Sequence, residues 1–157
     1  MRVFGEITGI SEGSEFENRY YLSRYGVHKP LRAGISGSQT EGADSIILSG
    51  GYEDDQDYGD IIIYTGHGGR SGVTGLQVAD QHLTHQNVVL AINCQQGLPV
   101  RVIRGHNQKS ACSPAEGYRY DGLYRVDRYW QEKGVSGFLV WRFRLVKITS
   151  SITSPTE

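Results

Sequence analysis

The stretch SGGYEDDQDYGDIIIYTGHGGR, Ser49 to Arg70, decides the reading of this 157-residue chain. Paired glycines stand beside Tyr52, an acidic run follows, and Asp60 to Tyr64 is an apolar run ending at Thr65 and further glycines. Short β-branched runs favour strands, and glycine and aspartate favour the turns between them. The unit therefore reads as a strand and a loop, with one tyrosine near each end and Asp55 between. Two aromatic faces and a carboxylate in that order suit a flat polar ring, clamped by Tyr52 and Tyr64 and read at its edge by Asp55. The run DDQDYGD also invites a calcium reading. It fails because Gly59 falls on the third ligand position counted from Asp55 and Gly66 falls where the bidentate glutamate belongs, so no metal is expected. Asp54, Asp57 and Asp60 then read as a solvated acidic turn.

A chain of this length with 38% hydrophobic residues can build one domain with a real core. Its 21 glycines follow no collagen-like period, which favours a turn-rich fold of many strands and few long helices. Cys94 and Cys112 have neither disulfide-framework nor zinc spacing, which points to a reducing compartment. No basic start with an apolar run and no long apolar segment is present, so a soluble protein without membrane contact is expected. The net charge of -1 hides a separation. No lysine or arginine lies between Arg32 and Arg70, whereas the chain from Arg101 to Lys147 is basic, enough for a surface that faces a polyanion.

Outward from the central stretch, residues 2–9 read as a first strand. Ser14 and Glu17 have the spacing of a capping box, with a short helix to about Tyr25 on which Phe16 and Tyr20 share a buried face, and Gly26 ends it. Pro30 makes Val27 to Gly37 a loop or edge segment. Ser45–Ser49 and Asp60–Tyr64 are strands, Ser71–Ala79 a projecting loop, and Thr84–Gln95 a helix carrying Val88, Leu90, Ala91 and Cys94 on its apolar face. Strands resume at Pro99, Tyr120 and Ser136. In the last, Leu139, Trp141, Phe143 and Leu145 fall on one face and Arg142 and Arg144 on the other.

Five blocks in order, FENRYYLSRYGVHKPLRAGISG, GGYEDDQDYGDIIIYTGHGGR, LTHQNVVLAINC, PVRVIRG and SPAEGYRYDGLYRVDRYWQEKGVSGFLVWRFRL, resemble the SRA family, the SET- and RING-associated or YDG domains. Tyr120, Asp121 and Gly122 are the YDG signature, and the blocks span Val3 to Val146. The resemblance implies an α+β, mainly β fold: a crescent-shaped, twisted-sheet half-barrel of PUA-like kind with a few short helices. It also implies a DNA methylation reader that grips double-stranded DNA, performs base flipping on a modified cytosine, and holds it in a pocket. Tyr52 and Tyr64 would stack on the base, at about 1–3 kcal/mol per contact, against a flipping cost of a few kcal/mol. Asp55 would accept from the cytosine amine. The Thr65 hydroxyl, or backbone amides near Asp55 and Thr65, would donate to its acceptors. Ser49, Gly50 and Gly51 would leave room at C5, with Ser49 and His67 choosing among C5 groups.

Two loops of the family enter the DNA grooves. They correspond here to Leu31-Arg32-Ala33 and to Val73–Val78, the second containing Gly75, Leu76 and Gln77 and lacking the basic tip of animal members. Tyr120 and Asp121 are expected to buttress the pocket, and the basic residues after Arg101 are candidates for phosphate contacts. His28, His67, His82, His85 and His106 form no nuclease constellation, so no catalytic residue and no cofactor is expected. The chain reads as a DNA-binding module, residues 1–148, with 149–157 a linker or tail. Bacterial members imply modification-dependent restriction, in which a C-terminal HNH endonuclease domain of a full-length protein, a homodimer in some cases, cuts where this module reads 5-methylcytosine or 5-hydroxymethylcytosine. Location would be cytoplasmic at the nucleoid in a bacterium and nuclear in a eukaryote. An interaction module holding another ligand in the aromatic cleft and a self-contained endonuclease are the alternatives.

Overall fold

The structure, a computed structural model, describes residues 2–49, 55–66, 68–71, 73–74, 76–84, 86–106 and 111–149. In chain order the elements are β1 (Glu15–Phe16), α1 (Arg19–Arg24), β2 (Ile35–Ser38), β3 (Gly42–Leu48), β4 (Gln56–Asp57), β5 (Ile61–Thr65), α2 (Gln86–Gln96), β6 (Pro99–Gly105), β7 (Tyr118–Lys133) and β8 (Leu139–Lys147). The fold is α+β and mainly β. Its strands form one open twisted sheet in the order β2-β3-β6-β7-β8-β5-β4, with β1 added beside β7. Neighbours are antiparallel except β3 and β6. A parallel pair needs a long crossover, and the chain between these two strands contains α2.

Both faces of the sheet centre are covered, which is why β3 is buried along its whole length. Ile46 and Leu48 join Ile62, Tyr64, Val100, Val102, Phe143 and Leu145 against Val89, Leu90 and Ala91 of α2. Ile47, one residue out of phase, turns to the opposite core with Phe16, Leu22, Val27, Ile103 and Tyr120. Each such aliphatic side chain contributes about 1.5–3 kcal/mol by leaving water.

The sheet curls. Four strand steps separate β6 from β4, a span of about 19 Å in a flat sheet. Yet the Arg104 guanidinium of β6 donates to both carboxylate oxygens of Asp57 in β4, at 2.7 Å each. That pair can form only if the edge strand bends back toward the sheet centre.

Several expectations are corrected. Residues 2–9 are not a strand but an irregular strap, held because buried Arg101 donates to the carbonyls of Val3 and Gly5 and Tyr120 donates to Glu6. The helix cap is Asn18, whose Oδ1 accepts from the Tyr21 amide, and not Ser14. Tyr20 is exposed; Leu22 provides the buried contact of α1. Gly26 ends the helix with φ of +77°, as expected. On α2 the buried set is Asn87, Val89, Leu90, Ala91 and Asn93, so Val88 is displaced from the core face. Asn93 explains the shift, since its amide accepts from Ala43 N and donates to Ala43 O, joining the helix to β3 through the backbone. Arg142 and Arg144 do lie opposite Phe143 and Leu145, but Arg142 is buried and donates to Glu132, while Arg144 pairs with Asp127. Among the described residues no helix is long and apolar enough to cross a membrane.

Candidate functional site

The site is built where β5 outruns its partner. The last β4–β5 pair is Gln56 with Ile63, so the next amide on that side, Thr65 N, has no strand carbonyl opposite it. The Asp55 carboxylate takes its place, with Oδ1 accepting from Thr65 N at 2.7 Å. A charge-assisted bond of this kind fixes the direction of a carboxylate as well as anchoring it. Thr65 is fully buried and its Oγ1 has no hydrogen-bond partner. An orphan hydroxyl of that sort costs about 1–3 kcal/mol. Tyr64 is 4% exposed and packs in the α2-side core, with its hydroxyl over Gly34. The structure thus brings Asp55 and Thr65 together, while the ring of Tyr64, next in the chain, packs in the α2-side core. Of the expected donors, the Thr65 amide is spent on Asp55, and the Thr65 hydroxyl is without a partner.

Behind this corner, buried Gln81 donates to Gly66 O and accepts from Trp141 N, at 2.8 Å each, bracing the turn that follows Thr65. Ser49 is exposed at the end of β3, beside Gly105. Tyr52, Gly50, Gly51, His67 and Gly75 lie outside the described residues.

Both expected groove loops project and both are internally braced. Leu31 and Arg32 are exposed. Arg19 donates to the carbonyls of Pro30 (2.8 Å), Arg32 (3.3 Å) and Ala33 (2.7 Å), and Ser23 Oγ donates to Lys29 O. From the interior, His28 Nε2 bonds Ala33 O at 2.8 Å while Nδ1 meets Ser45 Oγ at 2.7 Å. A carbonyl only accepts, so Nε2 carries the proton and Nδ1 accepts from the serine hydroxyl. Burial holds the His28 pKa down to about 4. In the second loop, Arg70 and Gln77 form a bridge, Ser71 N donates to Leu76 O, and Ser71 Oγ accepts from the amides of Val73 and Thr74. Gln77 Nε2 donates to Gly68 O and Ala79 O, which commits both its protons to the loop. Val73 and Leu76 are exposed apolar residues of this loop.

The bracing residues Arg19, His28 and Gln81 escaped the sequence reading. A histidine inside VHKP carries a weak signal of burial, and Arg19 and Gln81 carry none, because their partners are backbone carbonyls and amides remote in the chain. The basic residues after Arg101 are a correction. Arg101, Arg104, Arg119, Arg142, Arg144 and Lys147 are committed to internal carbonyls or carboxylates. Among the described residues of that set, Arg125, Arg128 and Lys133 face solvent.

A family model, the SAD/SRA domain, matches residues 3–151. The chain belongs to the SAD/SRA domain family. The SRA domain has curated relatives that include the E3 ubiquitin-protein ligase UHRF1 of Rattus norvegicus, 47% identical over 162 residues, covering 90% of this chain and 21% of that protein. They also include the E3 ubiquitin-protein ligase ORTHRUS 2 of Arabidopsis thaliana, 44% identical over 146 residues, covering 88% and 23%. The chain therefore spans about a fifth of the length of such relatives. Among solved structures, the modification-dependent TagI restriction endonuclease superposes with a TM-score of 0.91 at 47% identity, over 99% of this chain and 57% of that one. The SUVH5 SRA bound to fully hydroxymethylated CG DNA superposes with a TM-score of 0.79 at 38% identity, covering 94% and 95%.

Proposed function

We propose that this SRA domain binds duplex DNA containing 5-methylcytosine or 5-hydroxymethylcytosine by flipping the modified base against Tyr64. The observation that carries the proposal is the Asp55–Thr65 corner: an oriented carboxylate beside a residue whose buried hydroxyl is unpartnered. Cytosine presents an amine donor beside two acceptors. Asp55 accepts from the amine, and the Thr65 hydroxyl donates to a ring acceptor and gains the partner it lacks. Uracil or thymine would turn a carbonyl toward Asp55. Tyr52 supplies the second stacking face, with Gly50, Gly51, Ser49 and His67 around C5. One methyl in a fitted pocket is worth about 1–3 kcal/mol, so the preference is a ratio of roughly 10–200 and not absolute. Leu31, Arg32, Leu76 and Gln77 enter the grooves from loops that are already rigid, which lowers the ordering cost of binding. The solved relatives bound to modified DNA support this reading.

The chain itself performs no catalysis, and in a longer protein residues 1–148 choose the site for a nuclease domain reached through 149–157, with pairing into a homodimer. The likeness to the TagI restriction endonuclease, over part of that chain, supports this part. Such a module works where DNA is, at the nucleoid or in a nucleus.

The test is a titration of matched duplexes carrying cytosine, 5-methylcytosine or 5-hydroxymethylcytosine at fixed salt, with and without magnesium, followed by gel analysis. Tighter binding of a modified duplex without cleavage is the expected result. Equal affinity for all three, above the salt-dependent background, overturns the modified-base reading in favour of another cleft ligand. Magnesium-dependent cleavage overturns the non-catalytic one.

A further inference from the structure

Two residues of the YDG signature, Tyr120 and Asp121, have separate surroundings. Tyr120 lies in the opposite core, so it does not buttress the pocket as expected. Asp121, by contrast, is buried, and its Oδ2 accepts from Arg104 Nη1 at 2.8 Å while both its oxygens take bonds from Arg119. Arg104 is 3% exposed and its remaining donors go to Asp57, at 2.7 Å twice, to Gly59 O at 2.8 Å and to Tyr124 Oη at 3.4 Å. Tyr124 Oη donates to the same Gly59 carbonyl at 2.7 Å, and Asp57 Oδ1 closes the turn by accepting from Gly59 N. Two arginines and two aspartates thus form a charge-balanced cluster that ties the edge strand β4 to the sheet centre. The turn was expected to be solvated; the side chain of Asp57 is 7% exposed instead.

We infer that Arg104, Asp57 and Asp121 are positioning residues for Asp55, and that the aspartate of the YDG signature acts on modified-base discrimination through this cluster. Resting on the base-reading role of Asp55, the inference follows from two ties on one short segment. Asp55 is held forward by Thr65 N, and the chain two residues later is held by the Arg104 fork. Without the fork, the segment is left to a two-residue edge strand with two registered pairs to β5, to the Tyr58–Ile61 and Lys147–Asp60 backbone bonds, and to Tyr124 on Gly59 O. Edge strands of that length are weak alone. Asp55 would then sample orientations in which its carboxylate no longer meets the base amine, and selectivity falls while groove and phosphate contacts persist. Asp121→Asn is the informative change because it keeps the side-chain shape. It leaves Arg104 and Arg119 with one carboxylate between them, and whichever way its amide is turned its protons face an arginine donor.

The experiment compares the intact chain with Asp121→Asn, Asp57→Asn and, as a surface control, Glu116→Gln. The ratio of dissociation constants for unmodified and 5-methylcytosine duplexes is measured alongside hydrogen exchange of the Thr65 amide without DNA. The expected result for both aspartate variants is a ratio lowered about tenfold, with affinity for the unmodified duplex changed less than about twofold, as loss of a single oriented carboxylate contact predicts. Thr65 amide exchange should quicken at least about tenfold while that of Ile47, bonded to Gly34 O in the far part of the sheet, is unchanged. Unchanged Thr65 exchange overturns the inference, as does an equal rise at Thr65 and Ile47, which would make the cluster a general stabiliser. If the unaltered chain shows no modified-base preference yet Thr65 exchange responds selectively, the positioning role stands and the base-reading proposal fails.

Discussion

Acidification should loosen this domain through His28 before its carboxylates titrate. The imidazole is fully buried between Ser45 and the Ala33 carbonyl. Burial lowers its pKa from 6.5 to about 4, with Arg19 and Arg101 pushing the same way and the Ala33 carbonyl and Asp44 opposing. In the fold the ring therefore stays neutral until pH 4 is approached, whereas in the unfolded chain it takes a proton below 6.5. The unfolded state binds more protons across that window, so stability present above pH 6.5 is lost as the pH falls toward 4. Between pH 7.5 and 5 the loss is about 2 kcal/mol. For a domain of this size that is about 4–8 °C in Tm. The assay is thermal unfolding at both pH values for the intact chain and His28→Gln, whose amide can still donate to Ala33 O but does not titrate. Carboxylate contributions are common to both proteins and cancel. The variant should lose about 2 kcal/mol less over the interval. Equal losses would refute the assignment of a buried neutral His28. The consequence reaches the DNA side, because the same ring holds the Leu31-Arg32-Ala33 loop.

Four further outcomes are expected. Asp55→Ala should abolish the preference for modified cytosine and leave weak, salt-sensitive binding; a surviving preference means another group reads the amine. Thr65→Val removes the orphan hydroxyl, so the free domain should gain up to about 1 kcal/mol in chemical unfolding, while affinity for the modified duplex drops by about tenfold through loss of one donor. Both effects in the same direction would break that reasoning. Tyr64→Leu keeps apolar bulk without an aromatic face and should reduce the fluorescence rise of 2-aminopurine placed beside the modified base, with an unchanged signal removing stacking. Gly37→Ala should cost about 2 kcal/mol or more, since a Cβ there would stand 2.6 Å from Val89 Cγ1 and 2.7 Å from Ala43 Cα; a wild-type denaturation midpoint would show that α2 can shift.

The legible elements were those with strong local signals. β5 and β6 carry β-branched or alternating runs, and their observed bounds differ from the expected ones by a residue or none. α2 showed its apolar face and its glycine stop, with Gly97 at φ +69°. The N-terminal strap was misread as a strand because residues 2–9 alternate loosely, and what holds them is a buried arginine 96 and 98 positions away. Asn87 and Asn93 were not among the residues expected on the buried face of α2, since a buried amide is recognisable only with its backbone partner in view.

The family was legible in the order of its five sequence blocks, and Asp55 and Thr65, which that resemblance implied as neighbours in one pocket, do meet through a hydrogen bond. Tertiary structure decided what each charge does. Formal charge placed ten basic residues from Arg101 to Lys147 on a polyanion-facing surface, yet six of them close on internal acceptors. Asp57 of the acidic turn beside Asp55 proved to belong to a buried ion-pair cluster, while Asp60 stays exposed. Sequence shows that opposite charges exist and where they lie along the chain. Only the curl of the sheet, which bends β4 back to β6, brings Asp57 within 2.7 Å of Arg104. At that distance and burial a charge has to be paired rather than solvated.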